Sequence, residues 1–303
     1  MLKAVITSLH DISAGLAAEL ELNHVSIRIM EVRNGETADQ WLERLSSGVQ
    51  EQGLQEHECI VIASDRKILQ ALAESGWKCV GYVETGSQSM DLFGCCKYVI
   101  EGWEGIGFSY INRVYCRLAG IPLLIATTEH LIIRELVQED VSRLCKICGQ
   151  ESVRAFISDI GGDLQEEEKK HRAYIEQAYR FYDYGYWGVY DRQTGELIGR
   201  CGIQDNVIDK TAEVELGYLL AEEQRGKGYA KEAVNAVLEY AFNDLLLTRV
   251  VARVAPENTA SLHVVRSCGM LWEKDICRGK NSYGLYVITA KDYGQLSAQK
   301  SDR

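Results

Sequence analysis

The chain has 303 residues, of which 46% are hydrophobic and 25% are charged, a composition typical of a globular protein. This length is sufficient for two domains of ordinary size. The formal net charge is −11 at pH 7 and no basic run is present, which argues against nucleic acid as a direct ligand. No apolar run approaches the ~20 residues that span a bilayer, and no signal-peptide pattern opens the chain, so we expect no membrane association and a cytoplasmic location.

The first part of the chain alternates short apolar strands with helices. A continuous apolar strand is predicted over Glu58–Asp65, followed by a helix with apolar residues at Ile68, Leu69 and Leu72. Further buried strands are predicted over residues 78–83 and 98–101. This β–α–β order predicts a small α/β, Rossmann-like domain over residues 1–127.

The end of the strand at Ser64 resembles the second motif of HAD-like hydrolases, which carry a Ser or Thr at that place. The nucleophile of that family lies in an Asp-x-Asp motif after an early strand, whereas Asp11 has no second Asp two residues further on. Without paired carboxylates, neither an aspartyl phosphate nor Mg²⁺ has its ligands. We therefore expect a degenerate HAD-like domain without catalytic activity.

The ten cysteines are spread over predicted strands and helices, which indicates reduced thiols and no disulfide framework. Cys145 and Cys148 have the spacing of zinc ligands, but no second pair follows, and both fall on an apolar helical face. We predict core residues there and no metal site.

A second domain is predicted over residues 128–296, with a polar, disordered tail over residues 297–303. Its order is a strand at Leu131–Leu136, helices, a hairpin around Thr194–Gly195, and a strand at Glu213–Leu220 that precedes a helix. Another strand, helix and two closing strands follow. This order predicts an α+β domain built around one mixed sheet.

The most informative segment of this domain is the loop between that strand and the next helix, Gln224–Ala230. Gly226 and Gly228 allow the backbone to approach a ligand closely, and the first helical turn presents free N–H groups and the positive end of the helix dipole. Arg225 and Lys227 add positive charge at its rim. The pattern predicts a phosphate-binding loop. It is neither the dinucleotide fingerprint nor the nucleoside-triphosphate loop.

Arg225–Ala230 resembles the R/Q-x-x-G-x-G/A signature of the GNAT acetyltransferase superfamily, which holds the pyrophosphate of acetyl-CoA. The segment from Asn258 to Met270 is similar to the N-x-x-S … G-F block of its RimL-like members, with Met270 in place of Phe. Together with Leu131–Val141 and the closing strand Asn281–Ile288, the resemblance extends over residues 131–293. It implies the GNAT fold, with a mixed, mostly antiparallel sheet, and acetyl-CoA as co-substrate.

The resemblance also implies which residues bind the cofactor. The strand end after Tyr218 would diverge from its neighbour, so that backbone N–H groups of Leu219 and Leu220 bind the pantetheine arm and the thioester oxygen. Asn258 would contact the cofactor, cap its helix, or do both. The expected cofactor-binding residues are Leu219, Leu220, Gln224, Arg225, Gly226, Lys227, Gly228, Tyr229, Ala230 and Asn258.

Two residues are candidates for catalysis. Glu215 lies on the strand that leads into the loop, where similar enzymes often carry a Glu, and is the candidate base for the incoming amine, directly or through water. Ser261 is the candidate to protonate the departing thiolate or to hold the pantetheine arm. Each has a structural alternative: Glu215 as an exposed or salt-bridged strand residue, and Ser261 as a first-turn hydroxyl bonded to the backbone.

The sequence thus predicts an acetyl-CoA-dependent N-acetyltransferase acting on a primary amine, with a peptide N-terminus, a small amine and a polyamine as open alternatives. An acidic surface suits a cationic amine. A homodimer is among the expected assemblies. The competing hypotheses are a CoA-binding sensor without catalysis and a bifunctional phosphatase–acetyltransferase.

Overall fold

The computed structural model describes residues 1–87, 94–154, 164–279 and 281–301. The chain divides into two compact units, Met1–Ile121 and Pro122–Arg303. This boundary lies before the one expected after Thr127, because Leu124–Thr127 forms a strand that pairs antiparallel with Leu131–Arg134 in the second unit. Among the described helices, none combines the length and apolar character that crossing a membrane requires.

The first unit is built on a parallel five-stranded sheet with the order β2-β1-β3-β4-β5. The five residues of β3 are all buried, which explains the continuous apolar run in the sequence. The strand order is that of a doubly wound sheet. The expected α/β alternation is therefore present, while the Rossmann-like and HAD-like assignments of this unit stay predictions. The strands are β1 (Ala4–Thr7), β2 (Ser26–Ile29), β3 (Cys59–Ala63), β4 (Cys79–Val83) and β5 (Val99–Glu101).

Among the described residues of this unit, three helices connect these strands and a fourth follows β5, and each begins with N–H groups of its first turn bonded to a side chain of the same unit. Ser13, Thr37 and Asp65 cap the first three helices, and the N–H of Phe108 donates to the Glu19 carboxylate at 2.7 Å in the fourth. The helices are α1 (Ala14–Leu22), α2 (Ala38–Glu51), α3 (Arg66–Glu74) and α4 (Phe108–Ala119).

The second unit contains an eight-stranded sheet with the order β12-β13-β11-β10-β9-β8-β7-β6. Neighbouring strands are antiparallel except β10 and β11, which are parallel. The expected mixed, mostly antiparallel sheet is confirmed. The strands are β6 (Leu124–Thr127), β7 (Leu131–Arg134), β8 (Tyr186–Asp191), β9 (Leu197–Ile208), β10 (Thr211–Leu220), β11 (Arg249–Val254), β12 (Leu271–Arg278) and β13 (Asn281–Thr289).

The helix after the predicted phosphate loop buries the apolar stripe seen in the sequence. Ala233, Val234, Val237, Leu238 and Ala241 of this helix are at most 1% exposed and belong to the main core of the unit. The helices are α5 (Val141–Cys148), α6 (Glu151–Arg154), α7 (Leu164–Tyr174), α8 (Tyr229–Asn243), α9 (Thr259–Ser267) and α10 (Ala290–Ser301), with a π-helical segment at Ile175–Tyr182.

The C-terminal tail differs from the expectation. The sequence predicts disorder over residues 297–303, but residues 297–301 continue α10, and residues 302 and 303 lie outside the described residues. The helix start explains the difference in part, because Asp292 accepts a hydrogen bond from the Thr289 hydroxyl at 2.6 Å and donates its own N–H to that oxygen at 3.3 Å.

The placement of β6 generates a test of the boundary. A chain that begins at Pro122 should fold alone, whereas one that begins at Thr128 should melt about 4–8 °C lower, the shift expected for a loss of ~2 kcal/mol. The shorter chain lacks β6 and the Leu123 N–H that donates to the buried Glu135 carboxylate at 3.0 Å. Thermal unfolding monitored by circular dichroism measures the difference. Equal midpoints would show that β6 contributes nothing to this unit.

Candidate functional site

The sheet of the second unit opens between β10 and β11. Along these two fully described strands, the parallel pairing contains one position, Glu215 opposite Val251. The antiparallel pairing of β10 with β9 continues as far as Leu220 opposite Gly199. Beyond Glu215, the edge of β10 that faces β11 therefore leaves backbone groups outside the sheet ladder.

A cavity of about 620 Å³ lies at this opening. Every predicted cofactor-binding residue except Lys227 lines it, and so does the predicted catalytic residue Ser261. These residues come from the end of β10, the glycine loop, the first turn of α8 and the first turn of α9. The structure thus brings together in one place segments that the sequence holds up to about 40 residues apart.

The glycine loop has the backbone conformation that its sequence predicts. Gly226 has φ +76° and Gly228 has φ +86°, the left-handed region that glycine adopts without strain. Gly228, which has no side chain to cap the helix, is the N-cap residue of α8. The first bond inside the helix joins the Glu232 N–H to the Gly228 carbonyl at 3.1 Å. The preceding N–H groups of α8 are therefore available to a ligand.

Lys227 lies beside the cavity rather than in its wall. Its Nζ donates to Gln224 Oε1 at 2.8 Å and lies 5.9 Å from the centre of the Tyr229 ring. Both contacts hold the ammonium group close to the loop, and Arg225 is exposed on the same segment. The loop therefore carries two cations at its rim.

Helix α9 brings polar groups to the opposite wall. Asn258 Oδ1 accepts a hydrogen bond from the Ser261 N–H at 3.1 Å, so Asn258 caps α9 while it also lines the cavity. The Ser261 Oγ lies 2.8 Å from the hydroxyl of Tyr218, which also lines the cavity. Burial raises the pKa of Tyr218, so this hydroxyl stays protonated.

Two parts of the cavity wall, Tyr218 on β10 and Ser152 on α6, are absent from the sequence-based prediction of the site. Ser152 and Val153 of α6 line the cavity, and the Ser152 hydroxyl donates to Glu222 Oε1 at 2.5 Å. Gln150 donates to Glu223 at 3.0 Å. These contacts attach α6 to the turn that precedes the glycine loop. Local sequence could not predict these contacts, because the bonding partners of Tyr218 and Ser152 are far away in the chain. The position of Tyr218 directly after Gly217 was the one local indication of its place in the site.

Glu215 lies outside the cavity, in a network of ion pairs. Its carboxylate accepts hydrogen bonds from Arg253 Nε at 2.6 Å, from Arg253 Nη2 at 2.7 Å and from Asn206 Nδ2 at 2.6 Å. The pair raises the pKa of Arg253. The salt-bridge alternative for Glu215 is thus present in the structure, and its predicted role as a base stays a prediction.

A second cavity of about 250 Å³ lies on the side of the sheet where α7 packs. Tyr186, Arg200, His171 and Glu167 are in its wall. The Arg200 guanidinium lies 4.5 Å from the centre of the Tyr186 ring. Burial lowers the pKa of His171, which keeps its imidazole neutral near pH 7. No local sequence pattern predicts this cavity, because its wall combines strands and helices that are distant in the chain.

The family model for the acetyltransferase (GNAT) domain matches residues 130–271, which lie in the second unit. An uncharacterized N-acetyltransferase, p20, of Bacillus licheniformis is 31% identical over 165 residues, which cover 50% of this chain and 88% of that protein. This chain belongs to the GNAT acetyltransferase family. The expectation of an N-acetyltransferase is confirmed, and the family match lies in the half of the chain where it was predicted.

Two further relatives match shorter stretches of the chain. The uncharacterized protein YkkB of Bacillus subtilis is 35% identical over 105 residues, 35% of this chain and 61% of that protein. The spermidine N(1)-acetyltransferase of Vibrio cholerae is 35% identical over 71 residues, 23% of this chain and 40% of that protein. The chain thus spans less than two thirds of the length of both relatives.

The ion pairs of the GNAT sheet generate a prediction about stability. Arg253→Met should lower the free energy of unfolding by about 3–5 kcal/mol, because it leaves the Glu215 carboxylate, whose side chain is 8% exposed, without its charge partner. Arg249→Met is the matched control on the same strand. Arg249 is 32% exposed and pairs with Glu213 and Glu273, so its loss should cost about 1 kcal/mol.

Urea unfolding followed by tryptophan fluorescence measures both variants. If the two substitutions cost the same, the Glu215–Arg253 pair is no more important to the sheet than a surface pair.

Proposed function

We propose that the second unit catalyses transfer of an acetyl group from acetyl-CoA to a primary amine. The observation that carries this proposal is the meeting of three features in one cavity: the open edge of β10, the glycine loop at the start of α8, and the Ser261 hydroxyl on α9. Each feature suits a different part of a CoA thioester. The family membership of the chain supports the same reaction.

The glycine loop fits the pyrophosphate of the cofactor. The first N–H groups of α8, with the positive end of its dipole, favour a doubly charged anion, and Arg225 and Lys227 add charge at the rim. A Cβ at Gly226 or Gly228 would meet nothing within 4 Å, so space does not exclude a side chain there. The positive φ of both residues does oppose one, because L-residues rarely adopt it.

The open edge of β10 fits the pantetheine arm and the thioester. Of the two predicted contacts, the Leu220 N–H lies on this open edge and would polarise the thioester carbonyl. The Leu219 N–H faces β9 instead, because successive N–H groups of a strand alternate between its edges and the Ala221 N–H donates to the Ile198 carbonyl on β9 at 2.9 Å. The amine nitrogen attacks the carbonyl carbon, an N–C bond forms, and the C–S bond breaks. The amine gives up one proton to a base, and Ser261 donates one to the departing sulfur.

Glu215 is the sequence-based candidate for that base. Its carboxylate oxygens already accept hydrogen bonds from Arg253 and Asn206, and it lies outside the wall of the larger cavity. A role for Glu215 therefore requires a water between the carboxylate and the amine. This arrangement supports the water-mediated form of the proposal over direct contact.

The acceptor is proposed to be a primary amine, with a peptide N-terminus, a small amine and a polyamine still open. The net charge of −11 favours a cationic acceptor through steering. The similarity to a spermidine N(1)-acetyltransferase makes spermidine the first polyamine to test. A homodimer and a cytoplasmic location stay predictions.

The second candidate function is a sensor that binds CoA without turnover. The bonding of Glu215 within the sheet favours this alternative, because both of its carboxylate oxygens already accept hydrogen bonds from Arg253 and Asn206. The bifunctional phosphatase–acetyltransferase depends on the first unit and stays a prediction. Release of free CoA in a screen of amines distinguishes the enzyme from the sensor.

The phosphate loop can be tested by a pair of variants. Gly228→Asp should weaken acetyl-CoA binding about 10- to 100-fold more than Gly228→Asn, as ~1.4–2.7 kcal/mol of like-charge repulsion would require. Asn and Asp have the same shape, and both tolerate a left-handed backbone better than other residues, so the comparison isolates the charge. Isothermal titration calorimetry gives the two affinities. Equal affinities would contradict the assignment of the pyrophosphate to this loop.

The role of Glu215 can be tested by Glu215→Gln. If the carboxylate acts as a base through water, kcat should fall by about 10²–10⁴ while acetyl-CoA affinity is unchanged, and higher pH should restore part of the rate by supplying free amine. If the carboxylate serves only the ion pair with Arg253, the folded variant should keep its kcat and lose stability. Steady-state kinetics across pH, with thermal unfolding of the same sample, separate these outcomes.

A further inference from the structure

Two hydroxyl groups meet in the wall of the larger cavity. The hydroxyl of Tyr218, on β10, lies 2.8 Å from Ser261 Oγ and 3.3 Å from the Ser261 carbonyl oxygen, on α9. Both residues line the cavity. Ser261 is the proposed proton donor to the sulfur. Tyr218 therefore contacts the residue that would act on the reacting atoms, rather than those atoms themselves.

The direction of the hydrogen bond decides what this contact does. A serine hydroxyl has one proton and two lone pairs, and a tyrosine hydroxyl has one proton to donate. If Tyr218 donates to Oγ, the serine proton remains free for a group in the cavity. If Ser261 donates to Tyr218, its only proton points away from the cavity.

The distances allow the first arrangement, and acidity favours it. The tyrosine oxygen is closer to Oγ than to the carbonyl oxygen of the same residue. A phenol is also the stronger acid of the two hydroxyl types and so the better donor. The Ser261 N–H is bonded to Asn258 Oδ1, which fixes the backbone from which the serine side chain projects.

We propose that Tyr218 is a positioning residue that donates its hydroxyl proton to Ser261 Oγ as a hydrogen bond and so directs the serine proton towards the sulfur of the departing CoA. This inference rests on the proposed acetyl transfer. When the C–S bond breaks, the thiolate takes the proton of Ser261, and Ser261 takes a proton back from cavity water, which in turn receives the proton that the base took from the amine. Tyr218 keeps its own proton throughout, as expected for a hydroxyl whose pKa is raised by burial.

The test compares Tyr218→Phe, Ser261→Ala and the double variant in the full chain. The probe is acetyl-CoA with spermidine, and acetyl-CoA alone, whose slow hydrolysis to free CoA uses the same leaving group with water as acceptor. Tyr218→Phe should lower kcat about 10-fold, the value of one hydrogen bond, with acetyl-CoA affinity by calorimetry within about twofold of the wild type. Tyr240→Phe is the matched control, because it removes a buried hydroxyl outside the cavity and should leave kcat unchanged.

The double variant separates positioning from a general structural effect. If Tyr218 acts through Ser261, Tyr218→Phe should slow the wild type and have no effect in the Ser261→Ala background. An equal loss in both backgrounds, or wild-type kcat for Tyr218→Phe, would overturn the inference and leave the proposed function intact. Failure of the wild type to bind acetyl-CoA or release CoA would instead overturn the proposed function, and the inference with it.

Discussion

The candidate site depends on an opening in a sheet that ion pairs hold at a fixed place. Strands β10 and β11 pair at Glu215 and Val251 and then diverge, and the Glu215–Arg253 pair lies at this last point of contact. Arg249 extends the network from Glu213 on β10 to Glu273 on β12. Because backbone hydrogen bonds end there, side-chain charges supply the connection between strands that the ladder no longer makes. The cavity begins immediately beyond this connection.

Local patterns predicted the parts of the site that depend on local chemistry. The positive φ of Gly226 and Gly228, the apolar stripe of α8 and the cap at Asn258 are each determined by residues within one or two turns. Tyr218 and Ser152 were missed because their partners, Ser261 and Glu222, lie 43 and 70 residues away. Glu215 was recognised by its place on the strand, but its partner Arg253 is on a neighbouring strand 38 residues later. Pairings of this range are determined by the fold rather than by the local sequence.

Helix N-termini serve two purposes in this chain. In the first unit, side-chain oxygens accept hydrogen bonds from N–H groups in the first turns of α1 to α4. The accepting residues are Ser13, Thr37, Asp65 and Glu19, respectively. In the second unit, α8 begins at a glycine, which has no oxygen to offer. The parallel strand order of the first unit resembles that of many ligand-binding domains. The N-termini of α1 to α4, however, are already hydrogen-bonded to side chains of the same unit. Helix α9 of the second unit is also capped by a side chain, that of Asn258, so it is at α8 that the helix dipole is left for a ligand.

At the two glycines of the loop, the space for a side chain and the backbone torsion have opposite consequences for substitution. At Gly226 and Gly228 an added Cβ would meet no atom within 4 Å, so the site has room for a side chain. The same residues have φ values of +76° and +86°, which an L-residue reaches only at a cost of about 1–2 kcal/mol. A substitution there would therefore appear tolerable by volume and unfavourable by torsion. What these two positions specify is the handedness of the backbone, and the shape of the loop follows from it.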